Sequence, residues 1–375
     1  MELMQASRQW ATRPDDERFT SLTEAAAFLA YERQCSNRKV LANRDLTVIP
    51  STTDELDIAI TGPNGHPAQF THWGFSQTCS LAGVPAKYMR DSHMPGALAA
   101  DNLNWGLHHV RPVEDVSVLL KRYPDNCSMH APGTFIGAMN GPDYGVVWNF
   151  EIADQLVRHF GDGRTGQWRV PGEFGKDVPI TKANTTLYAS DRDCWFFLAD
   201  ETRRITVPNR RNGESGSLAR GFWVSNSEVG ASTLCAGFFL FDYACCNRII
   251  WGADQFREIR IRHTSGAPHR WVEEVKPILR EFAESSPKGI DDTLAAARAA
   301  KIKGDVSTFL ANRFGSKSIV TKIELAFASD EGLRPMETIW DAVTGATAYA
   351  RSLPNQDTRV AIERTAGKML AAVTV

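Results

Sequence analysis

The spacing of apolar and polar residues changes character twice along the chain. Residues 1–165 mix short alternating segments with segments of helical period, which predicts an N-terminal α+β region. Residues 166–266 show mostly strand patterns, and residues 267–375 show helical periodicity almost throughout. We therefore predict an α+β fold with a central, mostly antiparallel sheet, flanking helices and a helical C-terminal region.

Two local signals place helix ends in the N-terminal region. Ser21 followed three residues later by Glu24 predicts an N-cap with a capping box. Gly83 is typical of a helix end, and Pro85 is typical of the first turn of the helix that follows.

The most apolar stretch of the chain lies within residues 221–252. It lacks clean alternation, which favours a central strand covered on both faces, although periodicity alone also permits a buried helix. Asp242 interrupts the stretch, so it does not have the composition of a membrane span. We predict that its large side chains are mostly buried, namely Phe238, Phe239, Leu240, Phe241 and Tyr243.

Composition and cysteine usage predict a cytoplasmic protein. The 375 residues carry a net charge of −2, and no segment has the apolar core of a signal peptide or a membrane helix. The seven cysteines are odd in number and form no CxxC pair, which indicates free thiols in a reducing compartment. Cys245 and Cys246 are adjacent on a predicted strand and would point to opposite faces, so a shared metal ion is disfavoured.

The sequence contains no recognised catalytic motif. There is no P-loop, no nucleophile elbow and no dinucleotide-binding glycine pattern, and the nine histidines show no tight metal-ligand spacing. We therefore predict no enzymatic activity, no metal and no cofactor.

The strongest chemical signal is basic. Residues 181–270 contain twelve Lys and Arg against nine Asp and Glu, which is +3 where the whole chain is −2. Arginines in a strand-rich region, with an aromatic residue between them, are typical of a surface that follows a phosphate chain and stacks bases. The alternative is a solvated strand face with ion pairs. The predicted nucleic-acid-binding residues are Arg203, Arg204, Arg210, Arg211, Trp223, Arg257, Arg260, Arg262 and His263. For Trp223, the sequence equally favours a place in the core.

Several segments together resemble the phage/plasmid-like protein family, also called domain of unknown function family 932. They include "HWGFSQTCSLAGVPAKYM", "FWVSNSEVGASTL", "RHTSG" and "TIWDAVTGATAYAR", and the SNSEVG motif at 225–230 is the most specific part. The resemblance implies a protein of temperate phages, plasmids or their integrated remnants. It implies no catalytic residues.

These observations lead to a functional hypothesis and two alternatives. We expect a phage- or plasmid-encoded protein that binds and anneals single-stranded DNA in recombination or replication, as a homo-oligomeric ring or filament in the bacterial cytoplasm. Its partners would be single-stranded DNA and phage or host recombination proteins. The first alternative is a non-enzymatic host-interaction or anti-defence protein. The second is a nucleic-acid-modifying enzyme with an unrecognised site. The main hypothesis predicts that Arg203, Arg204, Arg210 and Arg211 lie in a mobile or groove-edge loop and face the same side as Arg260 and Arg262.

Overall fold

Two β-sheets, joined by helices, organise the chain. The computed structural model describes residues 13–51, 58–63, 65–110, 115–171, 179–211, 214–243, 247–250, 258–285, 290–332 and 334–373. The α+β class, the mostly antiparallel strands, the flanking helices and the helical C-terminal region are confirmed. The strands divide between two sheets.

The N-terminal region builds the first sheet and contributes to the second. Its elements are β1 (Arg18–Phe19), α1 (Leu22–Cys35), β2 (Ser36–Ala42), β3 (Thr47–Pro50), β4 (Ile58–Thr61), β5 (Pro67–Phe70), α2 (His72–Ala82), α3 (Ala86–Asp91), α4 (Gly96–His109), β6 (Asp115–Tyr123), β7 (Gly133–Asn140) and α5 (Asn149–Phe160). The first sheet has the strand order β2-β6-β7-β5-β4-β3. Its described pairings are antiparallel except for β5 with β7.

Helices α2 and α4 cover part of one face of the first sheet. Their apolar residues form a core with side chains of β4 to β7, including Phe75, Leu103, Leu107, Val118 and Met139. The two helices are in contact at Gly106 of α4. A Cβ atom at this position would lie 2.0 Å from the Ala82 carbonyl oxygen of α2. This close approach requires glycine at that turn of α4.

The second sheet is built mainly from residues 168–261. Its strands are β8 (Trp168–Arg169), β9 (Leu187–Ala189), β10 (Cys194–Asp200), β11 (Ile205–Arg211), β12 (Glu214–Asn226), β13 (Leu234–Asp242), β14 (Asn247–Ile250) and β15 (Ile259–Ile261). The order along the sheet is β1-β9-β10-β12-β13-β14, with β8 on β10, β11 on β12 and β15 on β13. Strand β1 comes from the N-terminal region, so the second sheet draws on both sides of the predicted boundary at 165/166.

The C-terminal region is helical. Helix α6 (Ala267–Arg270) continues through a π-helical turn at Trp271–Val275 into α7 (Lys276–Glu284), and it is followed by α8 (Ile290–Ala299), α9 (Val306–Phe314), α10 (Lys317–Glu331), α11 (Ile339–Arg351) and α12 (Gln356–Ala371). Apolar residues of α8 to α12 form a core with Leu218, Leu240 and Ile249 of the second sheet. Helices α1, α5, α6 and α7 share another core with that sheet.

The predicted helix ends are found at Ser21 and Gly83. The Ser21 hydroxyl accepts a hydrogen bond from the Glu24 amide, while the Glu24 carboxylate accepts from the Thr20 amide, one residue earlier than a capping box requires. Gly83 ends α2 in the left-handed conformation at φ 73°. Pro85 is the N-cap of α3, immediately before the first turn.

Strand β13 is buried on both faces, as predicted. The five large residues from Phe238 to Tyr243 are between 1% and 8% exposed. Phe238 packs in the core with α1, α5 and α7, and Leu240 packs against the C-terminal helices. Phe239 and Phe241 belong to an aromatic cluster with residues of β10 and β12. The stretch is therefore a central strand, which excludes the buried helix.

The cysteines of the described residues are free thiols. Five of the seven are described, at positions 35, 79, 127, 194 and 235, and none of these five forms a disulfide. Cys245 and Cys246 lie outside the described residues. Within the same part of the chain, no helix combines the length and apolarity that a bilayer crossing requires.

Truncation of Phe239 tests the central strand. The Phe239→Ala substitution should lower the free energy of unfolding by about 3–5 kcal/mol, because it empties a fully buried aromatic position. Leu325→Ala is the control, since Leu325 is 65% exposed, and its effect should stay within about 0.5 kcal/mol. Urea titration of both variants measures this, and equal effects would contradict the assigned burial.

Candidate functional site

The predicted nucleic-acid-binding arginines fall into two groups near opposite ends of β13. Arg203 and Arg204 immediately precede β11, which pairs with the part of β12 that faces the C-terminal end of β13. Arg260, on β15, pairs with Cys235 near the N-terminal end. From Cys235 to Asp242 the strand rises about 23 Å. The two groups are therefore separated by nearly the whole length of the strand.

In the first group, one arginine is already engaged electrostatically. Arg204 forms an ion pair with Glu201, and its guanidinium lies 4.1 Å from the centre of the Tyr243 ring. Arg203 is exposed, and its Nη1 donates to the Ser285 carbonyl oxygen at 3.1 Å. Of this pair, Arg203 alone presents a largely solvated guanidinium.

In the second group, Arg260 belongs to an ion-pair network. Its Nε lies 2.7 Å from Glu258 Oε1, and the same carboxylate binds the Arg364 guanidinium of α12 at 2.6 Å. Arg260 is nevertheless exposed, and so is Arg262. These two exposed arginines and the ion pairs around Arg260 resemble the alternative given in the sequence analysis, a solvated strand face with ion pairs.

His263 makes structural contacts with Gly145 and Tyr144. Its Nδ1 lies 3.0 Å from the Gly145 carbonyl oxygen, and its ring stacks on Tyr144 with centres 4.9 Å apart. Burial lowers the pKa of His263, which favours the neutral ring. A neutral, half-buried histidine contributes little to binding a phosphate chain.

Three further predicted residues differ from expectation or lie outside the described part. Arg210 and Arg211 belong to strand β11, so the structure corrects their placement in a loop. The paired backbone of the β11–β12 hairpin accounts for this. Their side chains are outside the described residues, and so is the whole of Arg257.

The structure also corrects the prediction for Trp223. This side chain is 1% exposed and stacks on Trp195 with ring centres 5.4 Å apart, so it cannot stack on a base. Neighbouring Arg220 is also buried. Its guanidinium donates to the Ser285 hydroxyl at 2.9 Å and to the Ala283 carbonyl oxygen at 3.0 Å. It therefore fixes the second sheet to the segment at the end of α7.

The SNSEVG motif comprises the end of β12 and the turn that follows it, and it is buried except at Gly230. Asn226 Nδ2 donates to the Val147 carbonyl oxygen at 2.7 Å, and the Ser227 hydroxyl donates to the Arg192 carbonyl oxygen at 2.7 Å. Glu228 Oε1 accepts from the Asn149 amide at the start of α5, at 2.6 Å. The motif's side chains thus bind neighbouring backbone.

The carbonyl groups of the same turn bind the first sheet. The Val229 carbonyl oxygen accepts from Trp73 Nε1 at 2.9 Å, from Gln77 Nε2 at 2.8 Å and from Asn140 Nδ2 at 3.1 Å. Arg38 Nη2 donates to the Glu228 carbonyl oxygen at 2.8 Å. The most specific motif of the sequence is therefore a connector between the two sheets.

A cavity of about 710 Å³ lies on the first sheet, and none of the described residues that line it belongs to α2 or α4. Strands β2, β6 and β7 form its floor with Leu41, Val118, Leu120 and Ile136. Its size is within the range of small-molecule and nucleotide sites.

The polar groups of this cavity are mostly basic or neutral. Lys39 of β2 and Arg122 of β6 line it and are exposed, together with His66 from the turn before β5. Lys39 pairs with Val118, so Lys39 and Arg122 lie four residues apart along the sheet, about 13 Å. Among the described residues that line the cavity, none is acidic. The arrangement suits an anionic ligand with a flat or apolar part.

A buried charged network lies beside the cavity, where α1 meets β6. The Glu32 carboxylate accepts from Lys121 Nζ at 2.8 Å, from the Tyr123 hydroxyl at 2.9 Å and from His130 Nε2 at 2.7 Å. Burial alone would raise the pKa of Glu32, but the charge of Lys121 and the hydrogen bonds from His130 and Lys121 lower it to about 2.

The described part of the chain contains no group of three or more His, Cys, Asp or Glu side chains arranged to hold a metal ion. A scan against protein-family models, a search of curated proteins and a search of solved structures each find no match to this chain. The resemblance to the phage/plasmid-like family stays a prediction.

Sequence reasoning missed the cavity because its basic residues are widely separated. Lys39 and Arg122 lie on two strands 83 positions apart, and each belongs only to a pair of adjacent basic residues, Arg38–Lys39 and Lys121–Arg122. The alternating pattern of "NRKVLA" at 37–42 was the available signal, since it places Asn37, Lys39 and Leu41 on one face of a strand.

The Glu32 network predicts a specific acid sensitivity. Because the folded-state pKa of Glu32 is depressed, its contribution to stability is present above pH 4.5 and is lost as the pH falls towards 2. That contribution amounts to about 3 kcal/mol. The free energy of unfolding, measured between pH 5 and pH 2, should fall less steeply in Glu32→Gln than in the wild type. The exposed Glu281→Gln control should keep the wild-type slope, and an unchanged slope in Glu32→Gln would contradict the assignment.

Proposed function

We propose that this protein binds single-stranded DNA at the cavity of the first sheet and promotes annealing as an oligomer. The observation that carries the proposal is the cavity itself, which combines an apolar floor with Lys39, Arg122 and His66 and has no acidic residue among its described lining. Phosphate contacts supply most of the sequence-independent affinity for nucleic acid, and apolar sheet surface accommodates the base or sugar.

The spacing of the basic residues is compatible with a chain ligand. The backbone positions of Lys39 and Arg122 are about 13 Å apart along the sheet. Two long, exposed cationic side chains at that spacing can contact separate phosphates of one strand. The polar lining residues Asn37, Thr61 and Thr134 offer hydrogen-bonding groups between them.

Self-association is part of the proposal, and α4 offers a surface for it. Leu98 and Trp105 are 53% and 67% exposed and lie seven residues apart, which places them on one side of the helix. The opposite side of α4 packs in the core through Leu103 and Leu107. The exposed stripe also favours the alternative of a host-interaction protein.

The proposal includes a cellular location and partners. The protein would act in the cytoplasm of the bacterial host of a phage or plasmid, together with phage or host recombination proteins. The absence of a catalytic motif in the sequence is compatible with annealing, which needs binding and self-association only.

Two double charge reversals with the same change in charge test the DNA site. Lys39→Glu/Arg122→Glu should weaken binding of a labelled oligo-dT roughly tenfold at low salt and reduce the slope of log K against log salt by about 1.4, since two phosphate contacts are lost. Arg260→Glu/Arg262→Glu changes the charge equally on and beside β15 of the second sheet, outside the cavity lining, and should retain most of the affinity. Fluorescence anisotropy across a salt series measures both, with melting temperature as the folding check.

The outcomes separate the site from the function. Weakening by the Arg260/Arg262 reversal alone would place DNA at the strand end and overturn the cavity assignment. Absence of binding by the wild type at low salt would overturn single-stranded DNA binding itself and favour the host-interaction alternative.

Replacement of Trp105 tests the self-association surface. Trp105→Lys should shift the molar mass measured by light scattering towards the monomer, because a charge replaces an exposed apolar side chain within the contact. Val272→Lys is the matched control, since Val272 is 52% exposed on the π-helical turn before α7. An oligomer that is unaffected by Trp105→Lys would exclude this stripe as the contact.

A further inference from the structure

The two edges of the first sheet differ in how their backbone groups are covered. Strand β3 forms one edge, where the Val48 amide donates to Asn104 Oδ1 of α4 at 2.7 Å. Asn104 Nδ2 donates in turn to the Val48 carbonyl oxygen at 2.8 Å, and His108 Nε2 lies 3.0 Å from the Leu46 carbonyl oxygen. Pro50, at the end of β3, has no amide hydrogen. Side chains of α4 therefore close this edge to a further strand.

Strand β2 forms the other edge, and this edge is open. Within the described part of the chain, β6 is the only strand that pairs with β2, and no other element bonds to the backbone of residues 37–41. In an antiparallel pair, alternate residues direct their N–H and C=O groups towards the partner strand, and the residues between them direct these groups outwards. The outward groups of β2 are therefore available to a further chain in extended conformation.

Contacts on the sheet face opposite the cavity hold β2 in place. Arg38 Nη1 donates to the Ser117 hydroxyl at 3.0 Å, and Arg38 Nη2 donates to Asn140 Oδ1 at 3.1 Å. The Arg38 guanidinium also lies 4.8 Å from the centre of the Tyr144 ring. An edge that is already fixed loses little conformational entropy when a ligand pairs with it, which favours binding.

The side chains of β2 indicate which kind of chain fits its edge. Lys39 lines the cavity together with Arg122 of β6, and the described lining of the cavity contains no acidic residue. Val40 lies on the opposite face of the strand and is 56% exposed. Directly opposed side chains of paired strands contact each other on each face. A chain with acidic residues on the face of Lys39 and apolar residues on the face of Val40 therefore matches this edge.

A second copy of this protein fits the same edge poorly. Lys39 is the central residue of β2, so two copies of β2 that pair about a two-fold axis through the strand centre would bring two Lys39 side chains together. Like charges directly opposite each other destabilise a strand pair. Lys39 therefore acts against self-pairing and favours an acidic partner.

We propose that the outer edge of β2 binds an extended acidic segment of a partner protein as an added strand, with acidic side chains beside Lys39 and apolar side chains beside Val40. Backbone hydrogen bonds would supply affinity, and the alternating side chains would supply specificity. The inference is independent of the DNA-binding proposal, because it concerns backbone groups of the strand edge, although both ligands would use Lys39.

The probe for this edge is a fluorescein-labelled peptide of alternating Glu and Val, about as long as the seven-residue strand. It should bind the full-length protein at low salt, as measured by fluorescence anisotropy, whereas a peptide of alternating Lys and Val should not. The Glu/Val peptide with N-methyl groups on its central amides keeps its charge but loses the donors of a β-ladder. The methylated peptide should not bind in the same concentration range.

Hydrogen exchange measured by mass spectrometry locates the bound peptide. Fragments that cover residues 36–42 should take up deuterium more slowly in the presence of the Glu/Val peptide, because outward amides of β2 become hydrogen-bonded. Fragments that cover residues 47–50 are the internal control. Their uptake should not change, since Asn104 already bonds the Val48 amide at that edge.

Charge reversal at Lys39 tests the side-chain part of the proposal. Lys39→Glu should weaken binding of the Glu/Val peptide about tenfold, since repulsion replaces attraction beside the incoming Glu side chains. Lys87→Glu is the matched control, because the Lys87 side chain is 85% exposed on α3 and does not line the cavity. The control should keep the wild-type affinity. Circular dichroism melting confirms that both variants are folded.

Three results would overturn the proposal. The first is a wild-type protein that does not bind the Glu/Val peptide at low salt. The second is equal binding of the methylated and unmethylated peptides, or binding without added protection of residues 36–42, since charge attraction alone would then account for it. The third is protection of these residues in the protein alone that disappears on dilution, which would assign the edge to a second copy of the chain.

Discussion

The relation between the two sheets depends on one turn, residues 225–230. Its Val229 carbonyl oxygen accepts three side-chain hydrogen bonds, two from α2 and one from the end of β7, so a single backbone group of the second sheet is held by the first. The turn is buried, and each of these donors would cost free energy if left without a partner. Gly230 is required there, because it adopts φ 86° and a Cβ atom would lie 2.6 Å from Asn140 Nδ2.

Helix α1 is the second connection between the two halves. Leu22 and Leu29 of α1 pack in the core of the second sheet. Glu32 of the same helix forms an ion pair with Lys121 of the first sheet. The helix ends at the cavity with Cys35. The cavity and the charged network therefore both adjoin the end of α1, and neither belongs to the strand-rich region in which the sequence concentrates its arginines.

Local features of the fold could be predicted from sequence, and long-range ones could not. The burial of Phe238 to Tyr243 follows from composition, because so many large apolar residues have no other place in a folded chain. The end of α2 at Gly83 follows from backbone sterics. Trp223 was misassigned because alternation places a residue on one face of a strand but does not say whether that face is covered. The burial of Arg220 depends on Ser285 and Ala283, which lie 65 and 63 positions away in the chain, so its own segment does not indicate it. The candidate site depends on register between β2 and β6, which the pattern of either strand alone does not encode.

The position of the connecting turn in the chain has a consequence for synthesis on the ribosome. The first sheet is complete once Asn140 has emerged, but the turn that covers Leu119 and Ala138 ends at Gly230, ninety residues later. At a translation rate of about 5–20 residues per second, this delay lasts about 5–18 seconds. Throughout that interval the nascent chain lacks the cover that Val229 gives to Leu119 and Ala138, with Trp73 and Trp148 beside them. The same long separation makes docking of the turn a late step of folding, since the entropy of closing so large a loop must be overcome before its hydrogen bonds form.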